Sequence, residues 1–422
     1  MTRPTLLAAA ALLAAVPLCL TPGAQAGHGH GHDRDREVRF STFNASLNRL
    51  TAGQLVADLS APGNVQAANV AETIQRVRPD VLLINEFDYS TRAVDLFRDN
   101  YLEVAHNGAA PIDYPYAYVA ASNTGVASGF DLNNDGLLGG PTPRDYGNDS
   151  WGFGEFVGQF AMVVYSKYPI DTDAVRTFQH FLWKDMPGAL LPDDPATAAP
   201  ADWYSPAELA GFPLSSKSHW DVPNRIGPNT VHILVTHPTP PTFDGLEDRN
   251  GTRNHDEIRF WADYISSPRT SAYIYDDEGR HGGLRPGSKF VIAGDQNADP
   301  VDGDSVDGAI NQLLDHRRIT DPRPMSAGGT QAVNQGGLNA THAGNPAYDT
   351  ADFCDVAGCG PGNLRVDYVL PTKGSKVVGS GVFWPVDADP LYRLTGDFDR
   401  ALYGPTGVPT SDHREIWVDV RY

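Results

Sequence analysis

Residues 290–300 read FVIAGDQNADP. Asp295 and Asn297 stand two positions apart just after an apolar run, so on a continuing strand both side chains would point to one face. A carboxylate and an amide in that position can do chemistry. The carboxylate can accept a proton or bind a cation, and the amide can hold it or donate to an oxyanion. Gly294 lets the backbone turn where a side chain would block close approach. The same letters also suit a plain turn, because Gly, Asp and Asn are common turn residues. Other apolar runs end in comparable groups: Asn44, Glu86, His237, and Asp412 with His413. Each is a metal ligand, an acid/base group or a hydrogen-bond donor. No Ser or Cys stands in a nucleophile elbow, and no Gly-rich phosphate loop of the Walker type is present. Oxygen donors without cysteine suit Mg²⁺, Mn²⁺ or Ca²⁺ better than zinc.

The elements that must position these groups follow from periodicity. Residues 37–44 alternate as a strand ending at Asn44, and 81–85 (VLLIN) form a continuous apolar run for a strand covered on both faces, delivering Glu86. Between them, Asn64 caps a helix to about Val77, stopped by Pro79. Further strands are expected over 159–165, 231–235 ahead of His237, 364–370 carrying Asp367, and 415–420. Helices are expected over 254–265 and 305–314. Two stretches, 107–158 and 181–218, are rich in turn residues or prolines and read as long insertions, where substrate selection often resides. In the first, Asp131, Asn133 and Asp135 precede Gly136 as in the opening half of a calcium loop, although position twelve is Thr142 rather than Glu. That segment is either a structural calcium site or a cluster of Asx turns.

The 422-residue chain is 41% hydrophobic and 20% charged, an ordinary globular balance, with a net charge of −20. Residues 1–26 have the form of a secretory signal: Arg3, the apolar run 6–20 and the small-residue site Ala24-Gln25-Ala26. A lipoprotein reading through Cys19 is weaker because Leu18 is large. Residues 27–36 (GHGHGHDRDR) read as a disordered leader, and 37–422 as one domain without an internal linker. No run is long enough for a membrane span. Removal of the signal leaves 31 basic against 52 acidic side chains, a net of −21. This acidity disfavours a general nucleic-acid footprint, though a local patch would suffice for binding. Extracellular placement makes a Cys354–Cys359 disulfide the expected state of CDVAGC, and two cysteines alone make a poor zinc site.

Seven segments taken in order resemble the endonuclease/exonuclease/phosphatase superfamily, the DNase-I-like phosphoesterases. They are FSTFN (40–44), RPDVLLINEFD (78–88), GQFAMVVYSKYPI (158–170), ILVTHPTPP (233–241), VIAGDQNADP (291–300), RVDYVLP (365–371) and SDHREIWV (411–418). The resemblance implies an α/β four-layer sandwich, two mainly antiparallel sheets packed face to face with helices outside. It implies a metal held by Glu86 with Asn44 and Asp412. Asp295 would orient or deprotonate the attacking water, and Asn297 would fix Asp295 and touch the phosphate. His237 and His413 would contact phosphoryl oxygens, with Asp367 orienting His413. Gln159 falls where some members hold the first histidine with Glu.

Two function classes follow. One is a secreted divalent-metal-dependent phosphoesterase acting on nucleic acid, a sphingomyelin-like head group or a small phosphate ester. The other is a calcium-stabilised binding module that kept the fold and lost catalysis. That alternative predicts missing catalytic side chains, yet all of them are present.

Overall fold

The computed structural model describes residues 36–396, 403 and 407–422. The signal over 1–26 and nearly all of the leader lie outside the described residues. Two sheets face each other. The first contains β1 (Glu37–Leu47), β2 (Val81–Phe87), β3 (Tyr116–Tyr118), β4 (Met162–Ser166), β10 (Lys376–Val382) and β11 (Ile416–Arg421), in the order β10-β11-β1-β2-β4-β3. The second contains β5 (Arg176–Thr177), β6 (Trp220–Ile226), β7 (Asn229–Val235), β8 (Lys289–Asp295) and β9 (Asp367–Pro371), in that order. Neighbours are antiparallel except β1 with β2 and β7 with β8, which run parallel. These parallel pairs send four strand ends the same way.

Period-two alternation sorts the side chains into layers. Val38 and Phe40 of β1, Val81 and Leu83 of β2, and Val418 and Val420 of β11 meet Val222 of β6, Ile233 and Val235 of β7, and Val291 of β8 between the sheets. The opposite phase, Phe43, Leu47, Leu82, Ile84 and Tyr165, packs under α1 (Gln54–Leu59), α2 (Val65–Val77) and α3 (Thr91–Phe97). On the second sheet Leu234, Ile292 and Leu370 pack with Ile258, Trp261 and Tyr264 and with Phe181, Trp183 and Phe212 of the second insertion. This is the four-layer arrangement. Asn64 caps α2 by accepting from Ala67 N at 3.0 Å.

The insertions are ordered by short elements: α4 (Pro143–Asn148) in the first, α5 (Pro206–Leu209) in the second, each opened by a capping box. The loop at 131–136 closes on itself. Asp131 accepts from Asp135 N and Gly136 N, and Asp135 accepts from Leu137 N and Asn133 Nδ2. Residues Asp35–Tyr422 form one compact unit. Among the described residues no helix is long and apolar enough to cross a membrane.

Three expectations need correction. Strand β6 (WDVPNRI) is absent from the sequence reading because Pro223 looks like a breaker. It is tolerated because β5 pairs only with Trp220 and Asp221, and the outer bridge at Ile170–Asn224 uses the Pro223 carbonyl, which accepts from Asp171 N at 2.9 Å, and not its nitrogen. The helix expected over 254–265 is α6 (Arg249–Tyr264), five residues longer at its start. Its first half is buried through Thr252, Arg253, Asn254, Asp256 and Glu257, so apolar spacing does not reveal it. The helix expected over 305–314 is broken. Asp307 and Gly308 have φ of 46° and 61°, and only α7 (Asn311–Leu314) is regular.

Cys354 and Cys359 are joined, with Cα atoms 5.8 Å apart. The loop is short, so its loss should cost less than the roughly 3 kcal/mol expected for a 15-residue loop. Mass labelling of denatured, unreduced protein should find no free thiol at either position. Detection of both thiols would refute the pairing in solution.

Glu415 offers a stability test. Its side chain is fully buried and accepts from Ser41 Oγ at 2.7 Å. Burial pushes its carboxyl up to about 8, against the hydrogen bond from Ser41 and the charge of Arg39. A carboxyl with a folded pKa above its unfolded value stabilises fully below the unfolded pKa, and this contribution is lost as pH rises towards about 8. Glu415→Gln should therefore raise Tm at pH 9 and gain less at pH 5. Equal gains in melts at the two pH values would show that the charge is not the cause.

Candidate active site

The strand ends converge at one edge of the sandwich. The β1–β2 register sets Asn44 beside Asn85, both in the inward phase. The β8–β9 register sets Asp295 opposite Asp367. Gly294, at φ 148°, lets β8 pass close to β7, because a Cβ there would run into the Thr236 carbonyl. β8 ends at Asp295, so Asn297 is not on a continuing strand. It lies in a left-handed turn, φ 50°, with its N–H donating to Asp295 Oδ1 at 2.8 Å. Its side chain donates instead to Pro238 O at 3.1 Å.

Asp295 Oδ2 is the hub. Asn44 Nδ2 donates to it at 3.1 Å, His237 Nε2 lies at 3.4 Å and His413 Nε2 at 3.6 Å. On its far side His413 Nδ1 meets Asp367 Oδ2 at 2.9 Å, and Thr350 Oγ1 donates to the same oxygen at 2.8 Å. Phe353, beside the disulfide loop, packs edge-on against the His413 ring at 5.2 Å. All these polar side chains are buried.

The charges are mutually dependent. Burial opposes protonation of His413, yet Asp367 and Asp295 overcome it and push the ring up to about 10. Burial alone would raise Asp295, but His413, His237 and Asn44 hold it below the usual carboxylate range. Asp367 is raised to about 6 by burial, with His413 opposing. His237 is lowered to about 4 by burial and by nearby Lys217, despite its contact with Asp295. The site thus holds one imidazolium, one neutral imidazole and an ionised aspartate in contact.

Glu86 lies at the mouth of this cluster and lines the adjoining cavity. Its φ of 58° takes it out of strand geometry, a strain that persists only where the surroundings enforce it. Burial and the Asp412 charge raise its carboxyl to about 7, while His413 and the amide of Asn44 oppose them. Asp412 receives only long hydrogen bonds, from Ser46 Oγ at 3.5 Å and Ser411 Oγ at 3.4 Å. Two groups could hold a cation. Asp295, Asp367 and His413 offer three ligand atoms within 4.8 Å of one another. That set already contains a positive charge on His413. Glu86 and Asp412 feel the charge of His413 but make no ion pair among the described residues, where Asn44 Oδ1 accepts only from Ser46 N at 3.3 Å. The all-oxygen donor set fits a hard divalent ion.

Gln159 is not brought to His237. Its amide donates to Arg49 O at 2.6 Å and accepts from Glu155 N at 2.7 Å, which fixes the loop before β4. His237 Nδ1 is buried with no hydrogen-bond partner among the described residues. Asn85 and Lys217 were missed in the sequence. Asn85 Oδ1 accepts from Asp295 N at 3.2 Å, and its Nδ2 donates to Thr236 O at 3.4 Å, so it ties the two sheets together under the site. The inward phase of β2 was the available signal for Asn85. Lys217 Nζ donates to Pro238 O at 3.4 Å, the same carbonyl that Asn297 uses. Its place in an irregular insertion offered no periodic signal.

Among solved structures the chain is similar to an endonuclease/exonuclease/phosphatase from Beutenbergia cavernae, with 14% identity and a TM-score of 0.46 over 92% of this chain and 72% of that one. It is also similar to TDP2 from Caenorhabditis elegans, with 13% identity and a TM-score of 0.42 over 92% and 75%. A mannosyl-6-phosphatase of Bacteroides thetaiotaomicron matches at 9% identity and a TM-score of 0.42 over 91% and 100%. No curated protein matches the sequence. The family assignment rests on a family model that matches residues 41–413, nearly all of the compact unit: the chain belongs to the endonuclease/exonuclease/phosphatase family.

Proposed function

We propose that this protein is a secreted divalent-metal-dependent phosphoesterase that hydrolyses a phosphate ester by in-line attack of water. Members of its family are generally phosphoesterases that use divalent metals. The observation that carries the reading is the ionised Asp295 held between His237 and His413, with Glu86 and Asp412 alongside. Phosphoryl transfer needs positioning and neutralisation of charge on the equatorial oxygens. When bound by Glu86 and Asp412, with Asn44 beside them, a Mg²⁺-like ion supplies charge neutralisation and lowers the pKa of bound water.

The chain's own residues do the rest. Asp295 orients the attacking water and accepts its proton. His413, kept protonated by Asp367, donates to a phosphoryl oxygen or the leaving oxygen. His237, neutral, contacts a second phosphoryl oxygen through Nε2. Asn297 holds Asp295 through its backbone and stands within the same turn to meet the phosphate. Secretion is supported by the charged, apolar and small-residue order of residues 1–26. Intact-mass analysis of exported protein should place the new terminus at Gly27.

A hydrolysis panel tests the reaction: p-nitrophenyl phosphate, bis-p-nitrophenyl phosphate, plasmid DNA and sphingomyelin, with and without EDTA. Turnover of at least one substrate, abolished by EDTA and restored by Mg²⁺ or Mn²⁺, is expected. The net charge of −20 favours a small phosphate ester over nucleic acid. Hydrolysis indifferent to EDTA, or none at all, would overturn the reading.

A further inference from the structure

Beside Glu86 and His237 opens a cavity of about 340 Å³, within the roughly 300–1,000 Å³ range of small-ligand pockets. Both insertions and the start of α6 build its walls. Four cations line it: Arg144 from α4, Lys217 from the second insertion, and Arg249 and Arg253 from α6. Arg144, Lys217 and Arg253 make no ion pair among the described residues, and the carboxylates that act on the two buried ones, among them Glu257 on both and Glu86 on Lys217, do so without a hydrogen bond. Arg144 is exposed and makes no ion pair or hydrogen bond there. Lys217 is only 7% exposed, and the Pro238 carbonyl is its single hydrogen-bond partner. Arg253, also 7% exposed, donates to carbonyls, Leu214 O at 2.8 Å, Trp151 O at 2.7 Å and Pro213 O at 3.0 Å, and lies over the Phe212 ring at 4.8 Å. None of these bonds uses its Nη1. A fourth cation, Arg249, is spent on Glu247.

Burying a cation costs free energy unless a charge or good acceptor meets it. Lys217 has a single long acceptor, Arg253 keeps Nη1 unused beyond its three carbonyls, and Arg144 is free at the edge, so the three can together receive an incoming anion. The remaining wall is mixed, with an aromatic part. Phe243 is 74% exposed and Phe153 43% exposed, and both line the cavity with Phe160. Phe243 and Phe160 hold φ of 68° and 57°, a costly conformation for bulky residues that clusters at functional sites.

We propose that this cavity is a specificity subsite for a small phosphate ester whose apolar or aromatic body carries a second anionic group, which Arg144, Lys217 and Arg253 receive. The scissile phosphate lies toward Glu86 and His237, and the body lies against Phe153, Phe160 and Phe243. The second anion is a carboxylate or a second phosphate, which present the same chemistry to a guanidinium. This inference rests on the phosphoesterase reading for the orientation of the ligand.

The test is calorimetric binding of non-hydrolysable probes to the full protein, so it needs no turnover. Phenylphosphonate carries one anion. 4-Carboxyphenylphosphonate and 1,4-phenylenebisphosphonate add a carboxylate or a second phosphonate on the same ring. At least one doubly anionic probe should bind about tenfold to a hundredfold more tightly than phenylphosphonate, the range for a charge-assisted hydrogen bond. Whichever binds more tightly identifies the second anion. The ratio of dissociation constants should fall toward one in Lys217→Met and in Arg144→Ala. The second change is at an exposed side chain, so loss of folding does not confound it. Equal affinity for all three probes, or a ratio unchanged in Arg144→Ala and in folded Lys217→Met, would overturn the subsite. An intact ratio in a protein that hydrolyses nothing in the EDTA panel would sink the phosphoesterase reading and leave the anion subsite standing.

Discussion

Glu86→Gln is expected to lower kcat/KM by about a hundredfold or more at limiting Mg²⁺, the scale of losing a principal electrostatic group. The substitution keeps size and shape and removes only the charge. Glu86 stands beside Asp412, and burial and that neighbour raise its carboxyl to about 7 even though the charge of His413 opposes them. Such a group is costly without a metal and favourable with one. A second readout follows. In EDTA the Gln variant should melt at or above the wild type, because the repulsion between Glu86 and half-buried Asp412 has been relieved. In millimolar Mg²⁺ the order should reverse, because only the wild type gains stability from ligand binding. Manganese titration followed by electron paramagnetic resonance gives the affinity directly. Full activity at limiting Mg²⁺ together with unchanged manganese affinity would remove Glu86 from the metal site.

The second large effect is expected at the His413–Asp367 pair. Asp367→Asn leaves the imidazole in place and removes the carboxylate that supports its protonated form through the 2.9 Å contact. A lost charge-assisted hydrogen bond of roughly 1.5–3 kcal/mol corresponds to about ten- to a hundredfold in rate. His413→Ala should be at least as severe. The double variant should be little worse than His413→Ala alone, because residues acting as a unit are non-additive. Asp295 behaves differently. It keeps Asn44 and His237 as partners when His413 is removed. Asp295→Asn combined with His413→Ala should therefore lose more than either single change. The measurement is kcat/KM across both cycles. Strict additivity in the Asp367 cycle would show that Asp367 serves β9 rather than the imidazole.

Much of the architecture was readable from local patterns. Alternation identified β1, apolar runs identified β2 and β8, and the cap at Asn64 identified α2, because burial on one face or on both leaves a pattern in the sequence. The pattern failed where burial is polar. The start of α6 packs through Arg253, Asn254 and Glu257, and β6 carries Pro223, whose carbonyl but not its nitrogen is used on the outer side. The pattern also misplaced Asn297, because an apolar run cannot say at which residue the chain leaves the sheet. Here the turn follows Asp295.

For the site, residue chemistry and chain order were enough to nominate Asn44, Glu86, His237, Asp295, Asp367, Asp412 and His413. All but Asp367, which lies inside the run 364–370, stand within a few residues of the end of a readable strand, and a strand end is a local property. Gln159 shows the limit of that reasoning. It occupies a suggestive place in the chain, yet its amide is consumed by Arg49 and Glu155, a contact set by loop packing. The charge states lay further out of reach. An imidazolium at His413 and a neutral ring at His237 arise from carboxylates and a lysine that are distant in sequence and adjacent in space. Lys217, Arg144 and Arg253 likewise come from three separate segments that meet around one cavity. The sequence by itself determined which side chains were available for chemistry and which strands would carry them. Only the tertiary structure decided their protonation and the shape of the pocket, because electrostatics and packing depend on distance through space and not along the chain.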